Sequence, residues 1–410
     1  RTINMISKTN KDFNVIAYGS TGFTGRIVAD YINQNYKDSS LKWAVAGRSE
    51  SKLISVKEKF DISVPHIVAD VNNEESIDEM VKKGDVIIST VGPYSLYGSK
   101  LVEKCAETGT HLVDLTGESF WVKEMIDKYH LKAIESGEKI VFSCGFDSIP
   151  SDIGTLMLAD YIMKKYQTKL VEVTCYSAEI KDGGFSGGTV ASMFAIAESK
   201  GLMSKGLSDP YLLVREDQKP TYPNPSNSGG WFHYDSKLPG YIVPCVFASH
   251  DTKVVHRSNS YLNYGPLTYY EYFPFMLNRI SGFFAAFVYT VIYYGLGISL
   301  AIGPLRNILK MVLPKPGQGP SKSARENSYF KMHLIGKGEN GVVVRGLVGS
   351  NEGDAGYNET SKMIAESALA LALDYDKLPK FCGILTPAVA LGLPLVERLR
   401  NKKMFLEVST

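Results

Sequence analysis

One glycine-spaced loop constrains the fold more than anything else in the chain: Tyr18-Gly19-Ser20-Thr21-Gly22-Phe23-Thr24-Gly25-Arg26, directly after the run FNVIA. The G-x-x-G-x-x-G spacing joins a strand candidate to a helical stretch. Gly19 permits a tight turn, Gly22 lacks the Cβ that would block a diphosphate, and Gly25 lets the helix pack closely on the strand. Backbone N–H groups at the helix start then face the phosphate charge. Gly19, Ser20, Thr21, Gly22, Phe23, Thr24 and Gly25 are therefore the expected cradle of a dinucleotide, and the alternative is a glycine-rich turn that binds nothing.

Strand candidates at 13–19, 42–47, 64–70, 85–90, 111–115 and 139–143 alternate with amphipathic runs. Apolar strands separated by helices predict an α/β fold whose N-terminal part is a doubly wound parallel sheet of the Rossmann type. From 151 to about 350 the texture changes to strands with turn clusters, GGFSGGT (183–189) and PTYPNPSNSGG (220–230). A second α/β domain of mostly antiparallel sheet is expected there. Helical periodicity returns in TSKMIAESALALAL, ahead of GILTPAVALGLP. The expected organisation is an N-terminal extension at 1–12, a dinucleotide-binding domain at 13–150, a substrate or oligomerisation domain at 151–350, and a C-terminal segment at 351–410 that returns to the interdomain cleft.

Composition excludes several classes. Lys+Arg 45 against Asp+Glu 43 leaves a net charge of +2, too little to draw the chain to nucleic acid. Five separated cysteines, with no C-x-x-C pair, argue against a zinc site or a disulfide framework and fit a reducing compartment. No metal is expected. Residues 1–12 are polar and lack an apolar run, so no signal peptide is read there.

Between Arg279 and Arg306 lie 26 residues without a charge. At about 1.5 Å per residue such a stretch could span a bilayer core of about 30 Å. Aromatic residues from Tyr269 to Phe275 precede it, and Arg306, Lys310, Lys315, Lys322 and Arg325 follow, as at a membrane interface. Gly295, Gly297, Gly303 and Pro304 weaken its second half as a helix, so it could bend back as a hairpin or lie in the interface. Residues 280–305 are the expected membrane or lipid-surface segment; the alternative is an apolar helix pair buried in a homodimer or beneath the cleft.

Cofactor choice is read at the end of the second strand, where a carboxylate would bind a ribose 2′-hydroxyl. Here the run is Ala46-Gly47-Arg48-Ser49. Arg48 suits a 2′-phosphate, which favours NADP over NAD, unless Arg48 is a solvated helix-start residue. Asp70, ending the third strand, is placed at the adenine edge or as a helix cap. Ligands of such a sheet bind beyond the carboxyl ends of its strands. Val91, Gly92 and Pro93 are then expected at the nicotinamide ribose, and Tyr94 or Tyr97 could supply a proton or simply pack. Thr116, Glu118, Ser143 and Asp147 fall in neighbouring loops. Cys144 and His111 are read as structural.

Taken together, YGSTGFTG (18–25), WAVAGRS (43–49), TVGPYSLYG (90–98), DLTGE (114–118), GFDSIPSDIG (145–154), GDAGY (353–357) and LTPAVALG (385–392) span nearly the whole chain. In these blocks it resembles the saccharopine dehydrogenase-like oxidoreductases, which include trans-acting enoyl reductases. The resemblance implies a dinucleotide-binding domain, a second α/β domain and a C-terminal return. The uncharged segment also resembles one in eukaryotic members associated with lipid droplets. No arginine cluster lies near the matched motifs to clamp an amino-dicarboxylate, so saccharopine itself is disfavoured. The resemblance implies instead an NADP-dependent reductase of a lipid-like, enoyl-type substrate, placed at a membrane, a lipid droplet or the cytoplasmic face of an organelle. The rival reading is a membrane- or droplet-bound protein that holds NADP(H) as a structural or sensing ligand and turns nothing over.

Overall fold

Six short apolar runs become β1 (Phe13–Tyr18), β2 (Trp43–Gly47), β3 (His66–Val68), β4 (Gly84–Ser89), β5 (His111–Asp114) and β6 (Lys139–Val141). All pair in parallel, in the order β6-β5-β4-β1-β2-β3. β2 is buried along its whole length and β1 from Val15 onward, as parallel strands covered on both faces require. Between them run α1 (Phe23–Tyr36), α2 (Glu50–Lys59), α3 (Glu74–Lys83), α4 (Tyr94–Tyr97), α5 (Ser99–Thr108) and α6 (Ser119–Ser136). The winding reverses between β1 and β4, and this switch point is where such sheets bind ligands.

This is a computed structural model, and it describes residues 11–181, 186–198, 206, 208–221, 230–238, 240–315 and 317–410. Most of the N-terminal extension, the first part of GGFSGGT and residues 222–229 of PTYPNPSNSGG lie outside the described residues. The chain divides into two compact units. The first holds Arg1–Thr116, Trp121–Gly145 and Thr360–Arg398; the second holds Gly117–Phe120, Phe146–Glu359 and Leu399–Thr410.

The second unit begins with α7 (Ile149–Tyr166) and the long strand β7 (Leu170–Lys181), then α8 (Gly187–Glu198), β8 (His233–Asp235), β9 (Gly240–Pro244), α9 (Ala248–Leu262) and β10 (Thr268–Phe275). Two helices follow, α10 (Arg279–Ala301) and α11 (Gly303–Val312), then the short α12 (Lys322–Glu326), β11 (Tyr329–Gly338) and β12 (Val343–Ser350). β7 is flanked by β10 in parallel and by β11 in antiparallel; the remaining pairings are antiparallel. The second sheet is thus mostly antiparallel, as expected.

The tail serves both units. α13 (Thr360–Leu373) is buried along Thr360–Leu371 and packs on β1, β4, β5 and α1. Its buried carboxylate, Glu366, is paired. Glu366 accepts from the hydroxyls of Tyr31 and Tyr36 at 2.7 Å and pairs with Arg398 at 2.8 Å. β13 (Gly383–Leu385) then adds a seventh parallel strand beside β6, and β14 (Phe405–Ser409) pairs with β12 in the second sheet.

Inside the second unit, α9 is a polar sequence, ASHDTKVVHRSNSYL, with eleven buried residues. Its Asp251 accepts from Ser148 at 2.8 Å and Ser151 at 2.9 Å, and burial pushes its carboxyl well above the usual range. Nearby Glu271 on β10 accepts from Tyr269 at 2.9 Å and from the Cys245 thiol at 3.4 Å, and burial pushes it up to about 7. Part of the GFDSIPSDIG motif is therefore structural: its serines satisfy a buried carboxyl.

Candidate functional site

The glycine loop closes on itself and on the end of β4. Gly19 sits at φ +91°, a left-handed conformation that L side chains rarely adopt, and a Cβ there would lie 2.6 Å from Thr90 Oγ1 and 2.9 Å from Val91 Cγ2. A Cβ on Gly25 would fall 2.1 Å from the Gly19 carbonyl oxygen. The turn is held by Gly22 N–H donating to Gly19 O at 2.9 Å, and by Gly19 N–H and Ser20 N–H donating to Ala46 O at 2.9 and 3.2 Å. The buried Ser20 hydroxyl donates to Ala17 O at 2.6 Å. Thr90 N–H and Oγ1 both donate to Tyr18 O, at 3.0 and 3.1 Å. Glycine is thus demanded at 19 by its left-handed φ and the Thr90 and Val91 side chains, and at 25 by the close approach of the Gly19 backbone.

Gly22 differs. It is the N-cap of α1 in an extended conformation, φ −75° and ψ 171°, where a Cβ would meet only the Gly19 carbonyl at 3.2 Å. No side chain caps α1, and its first turn holds no acidic residue. A helix of 14 residues whose N-terminal end lacks both a capping oxygen and a carboxylate is suited to an anion. The cradle fits a diphosphate: glycine at the approach, helix dipole behind it, and no competing negative charge in the first turn.

Arg48 and Asp70 end neighbouring strands, since Gly47 pairs with Val68 and Ala69 N–H donates to Gly47 O at 3.0 Å. Arg48 is exposed and forms no ion pair among the described residues. Ser49 is the N-cap position of α2 but its hydroxyl makes no capping bond, and Thr21 lies against Gly47, about where a Cβ would come within 3.6 Å of it. Burial raises the Tyr18 hydroxyl pKa, the charge of Asp70 adds to that rise, and Arg48 opposes it, so both charges act at the end of β1. Asp70 does not cap α3; Asn73 does, accepting from Ser76 N–H at 3.3 Å. The Asp70 carboxylate instead turns the loop, accepting from Asn72 N–H at 2.9 Å.

Val91, Gly92 and Pro93 follow Thr90 and so border the glycine loop, Val91 directly through its contact with Gly19. The two tyrosines beyond them part company. Tyr94 is buried against Trp121; its hydroxyl donates to Ser89 O at 3.1 Å and accepts from Leu115 N–H at 3.2 Å. Tyr97 is exposed. The loops after β5 and β6 are tied to each other: Asp114 accepts from the N–H groups of Thr116 and Ser143, both at 3.1 Å, and Ser143 Oγ donates to Thr116 O at 2.7 Å. Cys144 is buried, its thiol facing Val141 O at 3.4 Å. His111 accepts from Lys139 N–H at 3.0 Å, and burial, aided by the charge of Lys139, lowers it to about 3, so it is a neutral, satisfied histidine.

Glu118 and Asp147 belong to the second unit. Glu118 is buried and accepts from Ser192 at 3.3 Å, whereas Asp147 is exposed. Sequence reasoning missed one pair there, Ser119 Oγ with His250 Nδ1 at 2.7 Å. Burial lowers His250 to about 3, which keeps its ring neutral. No spacing could have signalled it, since the partners lie 131 residues apart. No cluster of three or more metal-ligating side chains exists among the described residues.

Comparison with known proteins agrees with this geometry. The model of the saccharopine dehydrogenase NADP-binding domain matches residues 15–141, and NADP is accordingly the cofactor. A Mycobacterium tuberculosis protein provisionally described as a trans-acting enoyl reductase is 35% identical, over 96% of this chain and 97% of its own. A trans-acting enoyl reductase of Mycobacterium ulcerans is 32% identical over the same shares. Among solved structures, saccharopine dehydrogenase (L-Glu forming) of Saccharomyces cerevisiae superposes with a TM-score of 0.57 at 13% identity, over 97% of this chain and 99% of that one, a likeness of fold.

Proposed function

The chain belongs to the saccharopine dehydrogenase-like family of NADP-binding oxidoreductases, and on that premise we propose that it reduces an apolar, lipid-linked substrate of the enoyl type at a membrane or lipid-droplet surface. The observation that carries the reading is the uncapped α1 terminus behind Gly22, bordered by Val91 and accompanied by an exposed Arg48 at the end of β2. An apolar substrate is supported by the relatives named as enoyl reductases and by α10, an exposed and uncharged helix after its first residue.

When bound, NADPH supplies a hydride. The chain's residues do the rest. Backbone N–H groups of the Gly19–Gly25 loop hold the diphosphate, Arg48 with Ser49 takes the 2′-phosphate, and Asp70 borders the adenine. Val91, Gly92 and Pro93 set the depth of the nicotinamide end. Enoyl reduction also needs a proton at the adjacent carbon, and of the two tyrosines Tyr97 is the one with an exposed ring to relay it.

One observation favours the non-catalytic reading: the Tyr94 hydroxyl, nearest in sequence to the Gly92-Pro93 turn, is engaged by backbone groups on both sides. The deciding experiment follows NADPH absorbance with a series of long-chain enoyl thioesters. Turnover that rises with acyl length supports the reductase. Tight NADPH binding without oxidation of any of them establishes the sensor.

A further inference from the structure

From Tyr272 to Arg325 the chain carries six cations, Arg279, Arg306, Lys310, Lys315, Lys322 and Arg325, and no acidic residue. Within it stands the largest run of exposed apolar side chains among the described residues. Ile280, Phe284, Ile292, Ile308, Met311 and Val312 are 59–81% exposed. We propose that α10 and α11 seat in a single leaflet of an anionic phospholipid surface, entering and leaving on the same side, with no segment crossing. The inference rests on the membrane half of the function proposed above and is independent of the cofactor half.

Topology carries the argument. The chain enters α10 from β10 and leaves α11 towards β11, and β10 and β11 are both hydrogen-bonded to β7, one on each side. A single crossing would put β11 across the bilayer from β7. A double crossing fails on length: α11 has 10 residues, about 15 Å, against a hydrocarbon core of about 30 Å.

Packing fixes the orientation. Gly282, Ala286 and Thr290, four residues apart, form the one buried stripe of α10, and a Cβ on Gly282 would lie 3.3 Å from Tyr241 of β9. Tyr289 donates to Pro244 O at 3.3 Å and packs edge-on to Phe273 and Phe275. The first half of α10 therefore lies along the sheet rather than standing away from it. Beyond Tyr294, Gly295, Gly297 and Gly303 have open space where a Cβ would be.

α11 is amphipathic. Leu305, Ile308, Met311 and Val312 are exposed, while Arg306 and Lys310 reach Glu198 of α8, the acid that faces this helix. Arg279 stacks on Tyr234, Lys322 pairs with Glu326, and Arg325 bonds Asn358. An apolar face rimmed by cations is what an in-plane helix presents to anionic headgroups, and Trp231, exposed beside Tyr294, suits the same boundary.

The test uses the full chain with Cys382→Ser, the other four cysteines being buried, and adds Ser281→Cys, Ile298→Cys or Lys315→Cys. Each variant is mixed with vesicles of phosphatidylcholine and phosphatidylserine, and an impermeant maleimide is supplied either outside or trapped in the lumen. Expected is labelling of 281 and 315 from outside only, a fall of at least tenfold in labelling at 298 on vesicle binding, and loss of sedimentation with Met311→Glu/Val312→Glu. Those two side chains are so exposed that the variant should fold as the native chain does.

Labelling of 315 from the lumen alone overturns the single-leaflet seating while leaving membrane association standing. Unchanged labelling of 298 on sedimenting vesicles means that another surface binds, and also overturns it. Absence of sedimentation refutes the membrane reading itself; if 298 is then protected in a dimer that Met311→Glu dissociates, the occupant is a second copy of this chain.

Discussion

Gly22→Ala separates cofactor approach from loop folding, because the three glycines of the loop are demanded for different reasons. At Gly22 the backbone is extended, so alanine adopts it without strain, and its Cβ meets one carbonyl at 3.2 Å, which must yield by a few tenths of an ångström. Alanine also restricts the unfolded chain, worth about 0.4–1 kcal/mol, so the net change in stability should stay within about 1 kcal/mol. Binding is another matter. A methyl group at the α1 terminus holds the diphosphate off the backbone, and each charge-assisted hydrogen bond lost there costs about 1.5–3 kcal/mol, roughly ten- to a hundredfold in Kd. Gly25→Ala is the counterpart. Its Cβ would lie 2.1 Å from the Gly19 carbonyl, a clash that no side-chain motion relieves, so the loop must open at a cost of about 1–3 kcal/mol. Thermal unfolding of the ligand-free proteins and NADPH titration by fluorescence measure the two quantities separately. Gly22→Ala should unfold within a few degrees of the native protein and bind NADPH at least tenfold more weakly; Gly25→Ala should lose both. Native NADPH affinity in Gly22→Ala would falsify the argument that the diphosphate meets α1 there.

Three further outcomes follow from particular side chains. Arg48→Ala should weaken NADPH binding by about tenfold or more and leave NADH unchanged, since only the former presents a phosphate to the guanidinium; equal losses for both nucleotides would remove Arg48 from the 2′-phosphate site. Tyr94→Phe should lower stability by about 1–3 kcal/mol, because Leu115 N–H loses its acceptor, whereas Tyr97→Phe should leave unfolding unchanged and reduce kcat on an enoyl thioester; the reverse pattern would make Tyr94 the proton relay. Burial raises Glu271 from 4.5 in the unfolded chain to about 7, so its protonated form stabilises the fold fully below pH 4.5 and that contribution is lost as pH rises to about 7. Glu271→Gln should therefore gain stability relative to the native protein across that window in denaturant titrations, and a difference that stays flat with pH would show that Glu271 does not carry the proton.

The cofactor half of the molecule was legible because its constraints are local. β1 and β2 were placed to within a residue, and the reason Gly19 and Gly25 must be glycine lies within ten residues of each and in the strand beside them. Arg48 was readable for the same reason, as a strand end in sequence is a strand end in space. Edge strands were harder: β3 forms only at His66–Val68 of the seven residues expected, since it has one partner and half-exposed side chains. Tyr94 and Tyr97 looked alike in sequence and differ because Ser89 and Leu115, on two separate strand ends, claim one hydroxyl.

Two helices of the second unit reverse the usual link between hydropathy and burial, and their contrast bears on function. α9 is rich in His, Asp, Lys, Arg and Ser and reads as a surface helix, yet it is buried because its polar groups find partners: Asp251 with Ser148 and Ser151, Ser258 with Asp152, Arg257 with Leu213 O, Asn259 with Gly265 O. Hydropathy counts residues and is blind to such pairing. α10 errs the other way. It reads as a core or spanning helix, yet apart from the stripe at Gly282, Ala286 and Thr290 its residues are exposed or half-exposed. A buried polar helix is stable once every group is paired. An exposed apolar one gains nothing from water, because each uncovered methylene forgoes about 0.8 kcal/mol of burial. α9 finds partners for these polar groups within this chain; the proposed seating of α10 and α11 on a lipid surface would cover the apolar side chains that the sheet leaves exposed.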